Sequence, residues 1–122
     1  MPFKAFDVFS LDSVQVQAVT TLAWRHLCAG RADEARALFA WLVKLMPARG
    51  ELRLALAHAL LGCGRPDEAL SELEVLVSSR EPAAHFLYGK ALAQTGRLAD
   101  ARLAFERYRE YRLAPASSYR SP

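Results

Sequence analysis

Cysteine is scarce in this chain of 122 residues, with only Cys28 and Cys63 present. They stand far apart, form no Cys-x-x-Cys pair and belong to no wider framework, so a disulfide scaffold, a zinc site and a dithiol redox motif all lose their basis. Both read as small, buried, reduced hydrophobes. Long apolar runs are also missing. The longest, Ala37 to Val43, falls far below the roughly 18–20 residues that a spanning helix needs, and no membrane insertion is expected. The opening "MPFKAFDVFSLD" alternates Phe with Lys and Asp, without a basic leader or an apolar h-region, so it does not read as a signal peptide. The expected location is the cytoplasm. Charge of one sign is lacking too: 16 Lys and Arg against 13 Asp and Glu leave +3. That balance is mild for a nucleic-acid binder, and no GXXG loop or RNP motif appears. The basic residues are mostly Arg, concentrated from Arg97 to Arg120, which makes a local positive face. Disorder is excluded by a composition of 52% apolar and 24% charged residues.

What the chain does contain is a sentence written three times. "CAGRADEARALF" begins at Cys28, "GCGRPDEALSEL" at Gly62 and "QTGRLADARLAF" at Gln94, each with Gly-Arg followed by an acid and then Ala. The glycines of these stretches, Gly30, Gly64 and Gly96, recur at the period of a tetratricopeptide repeat. In that motif a small residue lets two helices cross closely and a large one four positions later fills the space beside it. Ala35 with Phe39, Ala69 with Leu73 and Ala101 with Phe105 comply. The first halves are looser: Leu22-Ala23, Leu56-Ala57 and Tyr88-Gly89 give the large-small pair, while Val19, Arg53 and His85 stand where Trp is expected.

The spacing predicts helices over 13–29, 32–46, 50–63, 66–79, 82–95 and 98–113. Ser13 is expected to cap the first and Gly30 to end it, because Gly tolerates the left-handed turn. Pro66 suits the first turn of its helix, where a missing N–H costs little. Pro47 closes the first repeat, Pro82 opens the third and Pro115 ends the last helix. Asp33, Asp67 and Asp100 fall in first turns, where the helix dipole favours negative charge. The expected fold is all-α: three tetratricopeptide-like hairpins stacked as a short right-handed solenoid. An N-terminal arm (1–12) precedes the repeat domain (13–113; repeats at about 16–49, 50–81 and 82–113), and a flexible tail (114–122) follows. The arginines of the last helix are expected to solvate the outer edge, with i,i+4 pairing among Arg102, Glu106, Arg109 and Glu110.

No residues converge for catalysis. His26, His58 and His85 occupy different places in their repeats, so no shared metal site is expected, and Cys28 lies two residues from His26 on a different side of its helix. The chain reads as non-enzymatic, with no cofactor. Binding is the better expectation, because the first helices of stacked hairpins line a groove that accepts a polypeptide. The motif's groove positions are Gln17, Thr20, Trp24, Leu27 and Cys28, then Glu51, Leu54, His58 and Leu61, then Ala83, Phe86, Lys90 and Gln94. This groove is mostly apolar. The paired Lys and Asn or Arg of a carboxylate clamp are replaced by Thr20, Trp24, Leu54 and His58. Its occupant is either a foreign segment or the chain's own arm, through Phe3, Phe6 and Phe9, which alternatively mediates dimerisation.

"LAWRHLCAGRADEARALFAWLVKLMP", read with the ending "ARLAFERYREYRLAPASSYRSP", resembles the YscY family of type III secretion chaperones, and less closely the SycD-type translocator chaperones. The resemblance runs from Val14 onward and implies a bacterial cytoplasmic protein that holds a small secreted partner of the YscX type. It also implies docking on the cytosolic domain of a YscV-type export gate. The short, Phe-rich arm departs from the longer N-terminal region of SycD-type chaperones. For docking on an acidic partner, Arg97, Arg102, Arg109 and Arg112 are the candidate face. The other reading is a generic repeat scaffold or adaptor.

Overall fold

A computed structural model describes residues 13–113, which form six α-helices and no strand. These are α1 (Ser13–Cys28), α2 (Ala32–Leu45), α3 (Gly50–Gly62), α4 (Pro66–Glu74), α5 (Pro82–Gln94) and α6 (Leu98–Leu113). The all-α, repeat-type architecture is the expected one. The arm, the tail, Pro115 and the side chain of Ser13, with its expected cap, lie outside the described part.

The repeated Gly-Arg is a helix ending. Gly30, Gly64 and Gly96 have φ of 82°, 74° and 86°, the left-handed conformation that costs glycine least. Each glycine lets the next residue fold back onto its helix. The amide of Arg31 donates to the His26 carbonyl at 2.8 Å, that of Arg65 to Leu60 at 2.9 Å and that of Arg97 to Leu92 at 2.9 Å. Gly30, Gly64 and Gly96 donate in turn to Leu27, Leu61 and Ala93, each at 3.1 Å. This pair of bonds is the Schellman motif, which satisfies carbonyls that a helix end would otherwise leave open. Asp33, Asp67 and Asp100 then sit in the first turns of the following helices, as the dipole favours.

Helix ends fall within a residue of expectation except at α4, which stops at Glu74 instead of reaching Ser79. Beyond Glu74 the amides of Leu76 and Ser79 bond three residues back, to Leu73 and Leu76, and the Ser79 hydroxyl also donates to the Leu76 carbonyl. Branched Val75 and Val77 and two serines weaken the helix there, and serine offers its backbone a local alternative. The chain restarts at Pro82, the first residue of α5, where the Glu81 side chain accepts from the Ala83 amide at 3.4 Å.

The described residues fall into two compact units, divided after Arg65. In the first, α2 packs against both α1 and α3. Its core is the expected small-large pattern: Ala23, Ala35, Phe39, Leu42 and Ala57 are fully buried. In the second unit α5 packs against α4 and α6. Ala69, Leu73, Ala84 and Ala91 are fully buried, and Gly89 lies directly under the Phe105 ring. His85, at one of the positions where the motif wants Trp, is buried at 2% exposure. Its Nε2 lies 2.9 Å from the Ser79 carbonyl, to which it donates, and its ring packs on Tyr111 at 5.0 Å. It is a satisfied core histidine.

Candidate protein-binding surface

Trp24 and His58 are brought together in the first unit. Their ring centroids are 6.1 Å apart in an edge-on arrangement, and Trp24 also meets Phe39 edge-on at 5.2 Å. Phe39 is fully buried, so it supports the indole from below, while Trp24 as a whole stays 39% exposed. The helix period explains the placement: Gln17, Thr20, Trp24 and Leu27 recur at three- and four-residue steps on α1, as do Leu54, His58 and Leu61 on α3. Gln17, His58, Cys28 and Glu51 are exposed, whereas Thr20, Leu27 and Leu54 are half-buried. Leu61 is buried, so it supports this face from within. At the start of α3 the Glu51 carboxylate pairs with Arg49 at 3.0 Å. Backbone and Arg49 hydrogen bonds hold its pKa below the usual carboxylate value.

In the second unit Phe86 is 39% exposed and rests on two rings of α6, Phe105 at 5.9 Å and Tyr108 at 5.1 Å. Two cations lie over this cluster, Lys90 Nζ at 5.7 Å from the Phe86 centroid and the Arg112 guanidinium at 5.8 Å from that of Tyr108. Ala83 and Gln94, from the same expected face of α5, are exposed. The supporting rings of Phe39, Phe105 and Tyr108 were not among the candidate residues. Phe39 and Phe105 were legible as the large members of their small-large pairs. Tyr108 follows Phe105 by one helical step.

The arginine face divides. Arg97, Arg102, Arg109 and Arg112 are all exposed, but the i,i+4 pairing expected among Arg102, Glu106, Arg109 and Glu110 does not form: no ion pair closes among the described residues of α6. Exposed pairs gain too little in water to hold two long side chains in one geometry. No group of three or more His, Cys, Asp or Glu able to hold a metal occurs among the described residues, and none of their helices is long and apolar enough to cross a membrane.

Among known proteins, a tetratricopeptide repeat family model matches residues 54–118, more than half of the chain, and a second tetratricopeptide repeat model matches residues 26–80. A search of curated proteins finds no match. The solved structure of MamA MSR-1 C2 is similar at 22% identity and a TM-score of 0.70, over 79% of this chain and 56% of that one. At that identity the likeness is one of fold. This chain spans little more than half the length of the protein it resembles.

Proposed function

This chain belongs to the tetratricopeptide repeat family, and from that premise we propose that it is a non-enzymatic module whose first helices hold a segment of a partner polypeptide. One observation carries the reading: Trp24 is exposed on one side and locked by Phe39 and His58 on the other. Rigid, partly exposed aromatic side chains are the usual anchors of protein interfaces, because they add much apolar area and lose little conformational freedom on binding. Leu27 and Leu54 extend the apolar surface of the first unit. Phe86, with Lys90 over its ring, gives the second unit an anchor of the same kind. The ligand suited to such surfaces is a segment with apolar side chains at intervals, held by hydrophobic burial.

More specifically, we propose that the chain is a bacterial cytoplasmic chaperone of type III secretion. It holds a small YscX-type partner until a YscV-type export gate competes for it. The exposed rings of Trp24 and Phe86 support this reading, since an apolar segment that aggregates when free is what they would shield. The test is co-expression with the small open reading frames that neighbour the gene, followed by affinity capture and light scattering. A small, otherwise insoluble protein recovered in fixed ratio supports the chaperone. Failure of every such neighbour to bind overturns it and leaves the adaptor or a SycD-type chaperone.

A further inference from the structure

The second unit contains a pocket of about 330 Å³ between the turn after α4 and helices α5 and α6. Its volume is at the small end of ligand sites, enough for one side chain and its neighbouring polar group. Its deep wall is apolar and buried, formed by Leu92 and Ala104 with the satisfied ring of His85. Leu103, exposed at 59%, stands at its mouth. The pocket does not belong to the surface described above. Tyr88 and Leu92 follow Phe86 and Lys90 by two residues each, which places them roughly 200° round α5, on its other side.

The mouth is charged and incompletely paired. Arg97 and Arg107 line it with a single carboxylate, Asp100. No ion pair or side-chain hydrogen bond engages either guanidinium, or the half-buried Tyr88 hydroxyl, among the described residues. Two fixed cations and one anion leave an excess positive charge beside an apolar cavity.

We propose that this pocket binds an acidic segment of a partner protein, with an aliphatic side chain entering between Leu92 and Leu103 and an adjacent carboxylate bridging Arg97 and Arg107. Guanidinium groups suit this role because their N–H donors match a carboxylate in pairs, and the apolar wall lowers the competition from water. Asp100 sets the selectivity, since it opposes any ligand that brings more negative charge than the two arginines can meet. The site narrows the docking face expected from the arginine run: Arg97 belongs to it, Arg107 joins it, and Arg102, Arg109 and Arg112 do not line it.

The probe is the end-capped tripeptide Glu-Leu-Glu, titrated into the ¹⁵N-labelled full chain, with Gln-Leu-Gln as the neutral control. The expected result is amide shifts confined to Val77, Leu92 and the stretch from Arg97 to Arg107. Binding should weaken roughly tenfold both for the neutral control and for Arg97→Gln with Arg107→Gln, whereas Asp100→Asn should tighten it. The changed side chains are exposed, and an unaltered spectrum elsewhere checks that the variants fold. Equal binding of the neutral peptide, shifts centred on Trp24 or Phe86, or no shift at millimolar peptide would each overturn the proposal.

Discussion

Gly89 leaves just the space that the Phe105 ring occupies: a Cβ on Gly89 would stand 2.6 Å from Cε1 and 2.8 Å from Cδ1 of that ring. Real Cβ atoms do not approach so closely, so Gly89→Ala must push α5 and α6 apart or turn the ring. In an exposed helix interior the same change would add about 1 kcal/mol of stability. Here overpacking reverses the sign, at a cost of roughly 1–3 kcal/mol. A lowered midpoint in thermal circular dichroism is expected, partly restored by adding Phe105→Leu. An unchanged midpoint would contradict the contact.

The three turn glycines call for the opposite mechanism. Gly64 has φ of 74° and nothing within 4 Å of an added Cβ, so only backbone strain opposes substitution. Gly64→Ala should cost roughly 1–2 kcal/mol, and Gly64→Asn less, because Asn visits this conformation more readily. Urea melts of the two variants would show the order. Equal losses would point to a steric cause that the structure does not contain.

These two glycines also mark what was legible in the sequence. Gly30, Gly64 and Gly96 announced their turns because the left-handed ending needs glycine and the period repeats it. The Tyr88-Gly89 pair announced a close crossing, since the motif requires a small residue there. The early end of α4 was less legible: Val75, Val77 and the serines weaken a helix, but propensity alone does not say at which residue it stops. The pocket was hidden for a different reason. Asp100, Leu103, Ala104 and Arg107 share one face of α6, as His85, Tyr88 and Leu92 share one of α5, but helical spacing alone does not say that the two faces leave a cavity between them.

Cysteine reactivity should separate the two thiols. Neither cysteine is buried as expected: Cys28 is exposed and Cys63 half-buried, with the Cys63 Sγ donating to Asp33 at 3.3 Å. Burial, then the Asp33 carboxylate, pushes the Cys63 thiol pKa up. The thiolate is the reactive form, so iodoacetamide at pH 8 should label Cys28 first. Asp33→Asn should quicken labelling of Cys63. The raised pKa also makes the thiol form a stabilising one, present below the unfolded-state value and lost as pH rises through the folded one. Mass spectrometry of the labelled peptides reads the order directly, and faster labelling of Cys63 would contradict its placement.

Two surfaces can be told apart on α5 and α6. Tyr108 touches Phe86, so Tyr108→Ala reports on the same aromatic cluster as Phe86→Glu. Leu113, exposed at 68%, follows Tyr108 by five residues, which turns it roughly 140° round α6. Binding through the cluster predicts that Phe86→Glu abolishes capture of the partner while Leu113→Glu leaves it intact. The reverse pattern would favour an adaptor that assembles through its end.

On the proposed function, the exposed edge of Trp24 anchors a partner polypeptide. Isothermal titration of the captured partner into the wild-type chain and into Trp24→Ala, with far-UV circular dichroism of both, tests it most directly. Trp24→Ala should lose about 2 kcal/mol or more of binding free energy, as a hot-spot residue does, with helical content retained. Unchanged affinity in a folded Trp24→Ala variant would contradict it.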